Sequence, residues 1–160
     1  MEEEDIDNSS ETANGVDKND SIQSPVTRRS MKLFVDTNLL VAATLDEDER
    51  GEMATKFLNL DRELATTILN LMEFRTVLTK KKQLDQERVE RLLDGLWERI
   101  TVYRHSNDDL LKSYSVQENT LLYPMDCLLL TTAEETDGVL VTFDSELQEN
   151  GAVSPAEFVD

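Results

Sequence analysis

The sequence predicts an α/β domain of three layers, with helices on both faces of a mainly parallel sheet of four or five strands. Three observations support this prediction. Short apolar runs alternate with amphipathic segments, the connections between them are short, and the chain from residue 31 onwards is long enough to bury one core. Strands separated by helices and short loops are typical of right-handed βαβ units.

The first 30 residues differ in composition from the rest of the chain. Residues 1–20 contain eight acidic residues, and after Met1 only Ile6 and Val16 are large and apolar. Such a segment buries too little to offset its ordering entropy, so we expect residues 1–30 to be disordered and residues 31–160 to form the domain. Because Met31 directly precedes the first strand, the acidic segment is either an upstream extension or a genuine tail.

The elements of the first half are, in chain order, a strand over 32–36, helices over 38–44 and from 46 onwards, a strand over 64–69 and a helix over 70–80. Asp46 with Glu49 three residues later resembles a capping arrangement and predicts the start of the second helix. Asn70 is predicted to cap the helix that follows the second strand.

The second half contains the clearest helix, over 85–99, where apolar residues recur at helical spacing opposite a charged face. Asn107 is predicted to cap a helix that buries Leu110, Leu111 and Tyr114. Pro124 suits the first position of the next helix. The remaining elements are strands over 100–103 and 139–143, and a short edge strand at 152–153.

Composition and single residues exclude several classes of protein. The chain has 34 acidic and 16 basic residues, a net charge of −18, which argues against binding nucleic acid through a broad basic surface and suggests a halophile. One cysteine, Cys127, rules out an internal disulfide, and one histidine, His105, disfavours Ser-His-Asp and Cys-His enzymes. With no membrane-length apolar run and no secretory signal, the expected location is cytoplasmic.

Four acidic residues stand at strand-to-helix junctions or in first turns of helices, among large apolar residues: Asp36, Glu73, Asp126 and Asp144. Because parallel strands end at one edge of the sheet, these carboxylates can meet there. Carboxylates about 4 Å apart repel by roughly 4 kcal/mol per pair at an effective dielectric near 20. Protonation or a bound cation must relieve this repulsion, and oxygen ligands suit Mg²⁺ or Mn²⁺. The alternative is that each acid stabilises the start of its own helix.

Residues 31–158 resemble a PIN domain, the ribonuclease fold of VapC-type toxins. The resemblance is carried by Phe34-Val35-Asp36-Thr37-Asn38, by Glu73, by Met125-Asp126-Cys127-Leu128 and by Thr142-Phe143-Asp144. It implies a PIN-like fold and a metal-dependent endoribonuclease whose four acids hold one or two Mg²⁺ or Mn²⁺ ions. It also implies that Thr37, Asn38 and Thr142 support those acids by hydrogen bonding.

The resemblance further implies a biological role and partners. A free-standing domain of this size is expected to be the toxin of a type II toxin–antitoxin pair, homodimeric and blocked by a cognate antitoxin protein. The alternatives are a stand-alone RNA-processing nuclease and a non-catalytic PIN-like binding module. Arg75 and Lys80 are candidates for contacts with RNA phosphate, although basic residues also suit a helix end. A haloacid-dehalogenase-type enzyme is disfavoured, because Asn38 replaces its second Asp and no lysine follows Lys112.

Overall fold

The computed structural model describes residues 31–160, and residues 1–30, where disorder is predicted, lie outside the described residues. The regular elements are β1 (Lys32–Val35), α1 (Thr37–Leu45), α2 (Asp48–Leu58), β2 (Leu64–Thr67), α3 (Ile68–Thr76), α4 (Gln86–Arg99), β3 (Thr101–Tyr103), α5 (Asn107–Asn119), α6 (Pro124–Glu135), β4 (Gly138–Val141) and α7 (Ser145–Glu149). A π-helical turn (Val77–Lys81) extends α3, and a 3₁₀ turn (Pro155–Glu157) follows α7. None of the helices in the described part is long and apolar enough to cross a membrane.

The four strands form a parallel sheet in the order β3-β2-β1-β4. The predicted fifth strand is reduced to one parallel bridge, in which Val153 pairs with Val141 at the outer side of β4. The segment after this bridge packs back on the domain, where the ring centroids of Phe158 and Phe57 lie 5.8 Å apart. Because every strand runs the same way, all four end at one edge of the sheet.

The sheet separates two hydrophobic cores, which makes the predicted three layers. Leu33 and Val35 on β1 face a core built with α1, α2, α3 and α4. Phe34, between them in sequence, faces the opposite core, to which α5, α6 and α7 contribute. This alternation follows from the two-residue period of a strand. The α/β prediction is therefore confirmed.

Three predicted helix starts are wrong by a few residues. Asp46 does not cap α2; its backbone is left-handed (φ 51°) and its N–H closes the end of α1 on Ala42. The cap of α3 is Thr67, whose hydroxyl accepts the Asn70 N–H at 3.2 Å, so Asn70 lies inside the helix. Ser106 rather than Asn107 caps α5. Residues with good capping side chains occur next to each other, so the sequence alone does not select the one that turns the chain.

The prediction of which side of α5 is buried is also wrong. Leu110, Leu111 and Tyr114 are exposed, whereas Asp109 and Ser113 are buried. The side of α5 that meets α6 is therefore small and polar. The buried Asp109 carboxylate is hydrogen-bonded in a capping box with Ser106. A polar residue can therefore occupy a buried position where helical periodicity predicts an apolar one.

Candidate functional site

Asp36 is the buried centre of the carboxyl edge of the sheet. It follows β1 directly, and its own N–H donates to the Val141 carbonyl of neighbouring β4 at 3.0 Å. Its carboxylate accepts from the Thr37 N–H (2.8 Å) and the Asn70 amide (3.1 Å) at Oδ1, and from the Thr142 hydroxyl (2.7 Å) at Oδ2. These donors come from α1, α3 and the loop after β4, so the carboxylate is fixed by three separate segments.

Burial and neighbouring carboxylates both raise the pKa values of acids at this edge of the sheet. The pKa of Asp36 is raised to about 6, mainly by burial and also by the charges of Glu73 and Asp126, against the lowering effect of the Thr142 and Thr37 hydrogen bonds. The pKa of Asp126 is also raised, first by burial and then by the charges of Asp144, Glu73 and Glu146. Each of the four predicted acids therefore lies within electrostatic reach of at least one of the others.

Glu73 is joined to Asp36 through Thr37. The Thr37 hydroxyl donates to Glu73 Oε2 at 3.0 Å and accepts from the Asn70 amide at 3.2 Å, the same amide that donates to Asp36. The structural alternative for Glu73, a capping pair with Asn70, is wrong, because the Asn70 N–H is bound by Thr67. Glu73 lies on the exposed side of α3, with its carboxylate turned towards the edge of the sheet.

The structural alternative does apply to Asp144. Its Oδ1 accepts from the backbone N–H groups of Glu146 (2.8 Å) and Leu147 (3.2 Å) and so caps α7. Asp36 likewise accepts the first N–H of α1. Asp126 sits in the first turn of α6 and accepts no hydrogen bond from any residue that the structure describes. Helix capping therefore accounts for Asp144 and for part of the Asp36 contacts, and the first-turn position of Asp126 fits the helix-dipole alternative. Neither alternative accounts for Glu73.

Asn38 and Thr142 connect the two sides of this edge. The Asn38 amide donates to Thr142 Oγ1 at 2.9 Å, and its carbonyl oxygen accepts the Phe143 N–H at 3.2 Å. Thr142 Oγ1 also accepts the Asp144 N–H at 3.0 Å while donating to Asp36. One hydroxyl thus ties β1, α1 and the Asp144 loop together.

Sequence reasoning missed Asn70 and Thr67. Asn70 is predicted to cap a helix, but it is buried within α3 and its side chain contacts Asp36, Thr37 and Thr67. The available signal was an amide within the apolar run Leu69-Asn70-Leu71-Met72, where a buried polar group needs partners. Glu146 was missed as a further acid near Asp126.

The two predicted phosphate contacts are not joined to this edge by any described interaction. Arg75 Nη2 lies 3.7 Å from the Glu90 carboxylate on α4, an exposed ion pair. Lys80 lies in the π-helical turn, seven residues beyond Glu73. Their role in binding phosphate stays a prediction.

The oxygen ligands at the carboxyl edge of the sheet suit a hard cation, although the four carboxylates are too far apart to bind one together. In the described part of the chain no three His, Cys, Asp or Glu side chains are close enough to hold a metal ion. The donors are nonetheless oxygens, and no lysine or arginine among residues 31–160 forms an ion pair with the four acids. A cation would relieve the burial cost of Asp36, and the exposed carboxylates would have to move towards it.

Comparison with known proteins identifies the fold. The family model described as PIN domain matches residues 33–153. No curated protein sequence matches the chain. A toxin–antitoxin complex from Klebsiella pneumoniae is similar at 21 % identity and a TM-score of 0.61, covering 77 % of this chain and 97 % of that one.

Two further solved structures are similar to the chain. VapC20 of Mycobacterium tuberculosis, described as a toxin that cleaves the sarcin–ricin loop, has 16 % identity and a TM-score of 0.63 over 76 % of this chain and 96 % of its own. DNA-bound VapBC of Salmonella typhimurium has 20 % identity and a TM-score of 0.62 over 78 % and 96 %. At these identities the likeness concerns the fold.

Proposed function

The chain belongs to the PIN domain family, and we propose that it is a metal-dependent endoribonuclease that hydrolyses phosphodiester bonds in RNA. The observation that carries this proposal is the buried Asp36 carboxylate, which has acidic neighbours and no cationic partner in the described part of the chain. A purely structural carboxylate in this position would be expected to have a basic partner or to be replaced by a neutral residue.

Asp36, Glu73, Asp126 and Asp144 are the residues that would hold Mg²⁺ or Mn²⁺. The chemistry supplied by the bound cation is activation of water and neutralisation of charge on the phosphate oxygens. Asp36 is kept in one orientation by its donors Thr142, Thr37 and Asn70. The more exposed Glu73, Asp126 and Asp144 can adjust around the substrate.

The remaining hydrogen bonds hold the acids against their mutual repulsion. Thr37 fixes Glu73 relative to Asp36, and Asn38 holds the Thr142 hydroxyl that donates to Asp36. Hydrogen-bond partners of this kind usually set the orientation and basicity of the ligands they touch. Asp126 lacks such a partner in the described part of the chain, so its carboxylate is free to turn towards a bound cation.

The proposed biological role is the toxin of a type II toxin–antitoxin pair, acting as a homodimer and inhibited by an antitoxin protein. Similarity to the fold of toxin–antitoxin complexes supports this role. The net charge of −18 and the cluster of acids would favour a basic inhibitory segment. Co-purification with the small protein encoded beside it, and loss of cleavage in that complex, would distinguish a toxin from a stand-alone RNA-processing nuclease.

The nuclease proposal is tested with Asp36→Asn and Asp126→Asn in the full chain. We expect each substitution to abolish Mg²⁺- or Mn²⁺-dependent RNA cleavage while circular dichroism shows a folded protein. Asp108→Asn, the same change at an exposed acid in the first turn of α5, should cleave like the wild type. Undiminished cleavage by both site variants would contradict the proposal. Calorimetric Mn²⁺ binding without any cleavage would favour a non-catalytic binding module.

A further inference from the structure

An uncharged, exposed segment leads directly into the helix that carries Asp126. Residues 119–125 contain no charged side chain, in a chain of which 31 % of residues are charged. Leu121, Tyr123 and Met125 in this segment are 98 %, 76 % and 48 % exposed. Nothing in the described part of the chain forms a ring contact or a hydrogen bond with the Tyr123 side chain. We call residues 119–125 the apolar rim.

The backbone of the apolar rim is nevertheless fixed. Leu122 is buried in the core under α6, and its N–H donates to the Thr120 hydroxyl at 3.3 Å. The Thr120 hydroxyl donates to the Val116 carbonyl at 2.8 Å, and the Tyr123 carbonyl accepts the Cys127 N–H at 3.1 Å. The exposed side chains are therefore presented from a rigid support, as binding residues usually are.

Tyr123 and Asp126 occupy neighbouring positions at the start of α6. Tyr123 is the residue before the first helical position, and Asp126 is the third residue of the helix. Residues three apart on a helix surface are neighbours, with about 5–6 Å between their Cβ atoms. A ligand held at Asp126 is therefore within reach of the Tyr123 ring.

The charge of the protein limits how RNA can be held. With 34 acidic residues against 16 basic ones, little affinity can come from neutralising phosphates. Stacking of a base on an aromatic ring does not depend on net charge, and it requires a base whose face is free. Bases inside an A-form duplex are stacked on each other and cannot offer that face.

We propose that Tyr123 is a substrate-binding residue on whose ring an unpaired base next to the cleaved phosphate stacks. Leu121 and Met125 provide the apolar flanks of this contact. The proposal rests on the proposed nuclease function and adds to it a residue that contacts the substrate base.

The test combines Tyr123 variants with substrates that lack one base. Tyr123→Ala should raise KM for a single-stranded oligoribonucleotide about tenfold, with kcat nearly unchanged, because stacking stabilises the bound substrate. Tyr123→Phe keeps the ring and should behave like the wild type. Tyr114→Ala is the matched control, since this half-exposed tyrosine lies on α5 outside the apolar rim.

Removal of single bases tests the contact itself. In the wild type, an abasic residue at one position beside the cleavage site should raise KM about as much as Tyr123→Ala does. With Tyr123→Ala, the same abasic substrate should raise KM no further, because the two changes remove the same interaction. A merely structural role for the ring would leave the two effects additive.

Several outcomes would overturn the inference while leaving the nuclease intact. These are a wild-type KM for Tyr123→Ala, additive effects of the variant and the abasic substrate, and efficient cleavage of a fully paired duplex. A change in oligomeric state of Tyr123→Ala on sedimentation would place the ring in an interface between copies and would also overturn it. If the wild type cleaves no RNA with either metal, the nuclease proposal itself fails.

Discussion

Asp36 and Asp109 are 7 % and 6 % exposed; Asp36 directly follows β1, and Asp109 lies in the first turn of α5, the helix after β3. Asp109 accepts from the Ser106 N–H at 2.9 Å and from the Thr132 hydroxyl at 3.3 Å, and Thr132 Oγ1 lies 2.6 Å from His105 Nδ1. Since Thr132 gives its proton to Asp109, we infer that His105 donates from Nδ1. We call the hydrogen bonds around Asp36 the first network and those joining Asp109, Thr132 and His105 the second network. The second network thus contains a titratable base beside its carboxylate.

The Asp36 and Asp109 carboxylates differ in the charged groups that lie near them. Asp109 completes the capping box of α5, and its charge acts on His105 and Lys112, both of them basic groups. Asp36 has a comparable number of donors, but the charged groups that act on it are Glu73 and Asp126. Burial alone therefore does not distinguish a structural carboxylate from a functional one. The sign of the neighbouring charges does.

The largest expected effect concerns the stability of the metal-free protein. The pKa of Asp36 is raised from 3.8 to about 6, so its contribution to stability is fully present below about pH 3.8 and is lost as the pH rises through about 6. At about 1.4 kcal/mol per unit, Asp36→Asn should increase the free energy of unfolding at pH 8 by up to about 3 kcal/mol.

Urea unfolding in EDTA at pH 8 and pH 4 measures this prediction. The gain should appear at pH 8 and largely vanish at pH 4, where the wild-type carboxyl is protonated. Asp109→Asn, at the equally buried second carboxylate, should give no such gain at pH 8, because it removes the carboxylate that completes the capping box of α5. A stabilisation by Asp109→Asn as large as that by Asp36→Asn would remove the contrast between the two networks.

The next effect concerns activity. Asn70→Ala removes a donor from Asp36 Oδ1 and a donor from the Thr37 hydroxyl. We expect kcat/KM for metal-dependent cleavage to fall about 10- to 100-fold, the usual cost of losing a residue that orients a metal ligand. Gln86→Ala, which removes an exposed amide that donates to the Glu90 carboxylate on α4, is the control and should cleave normally. Full activity of Asn70→Ala at limiting metal would show that the buried amide is merely structural.

The smallest effect belongs to the second network. Thr132→Val takes a donor from Asp109 and leaves the His105 ring without its Nδ1 partner. We expect the free energy of unfolding to fall by about 1–2 kcal/mol, because buried polar groups lose their partners, with cleavage unchanged. Thr131→Val should lower the free energy of unfolding by less, because the Thr131 hydroxyl binds only the Cys127 carbonyl of its own helix. Loss of cleavage in a folded Thr132→Val protein would mean that the two networks are coupled.

The fold was accessible from the sequence because its signals are local and repeated. Runs such as Lys32-Leu33-Phe34-Val35 and Gly138-Val139-Leu140-Val141 are too apolar to be anything but buried, and strands so separated by helices favour a parallel sheet. The four acids could be picked out for the same reason, since each interrupts or directly follows apolar sequence. Their proximity followed from the topology.

What escaped prediction depends on contacts between distant residues. The Asn70 amide reaches an aspartate 34 positions away, and a capping role near a helix start is the commoner use of asparagine. The exposure of Leu110 and Leu111 depends on which side of α5 meets α6, and there the buried positions are Asp109 and Ser113. Helical periodicity identifies an apolar side but not whether a neighbouring helix covers it.

The bridge at Val153 has a practical consequence for handling the protein. Val153 donates to the Leu140 carbonyl at 2.9 Å and accepts the Thr142 N–H at 3.0 Å, while Phe158 packs on Phe57. The carboxyl-terminal residues therefore brace the loop that carries Asp144. A change that displaces Phe158 from Phe57 would therefore reach the Asp144 loop through this bridge, so recombinant protein intended for enzymology should keep residues 153–158 intact.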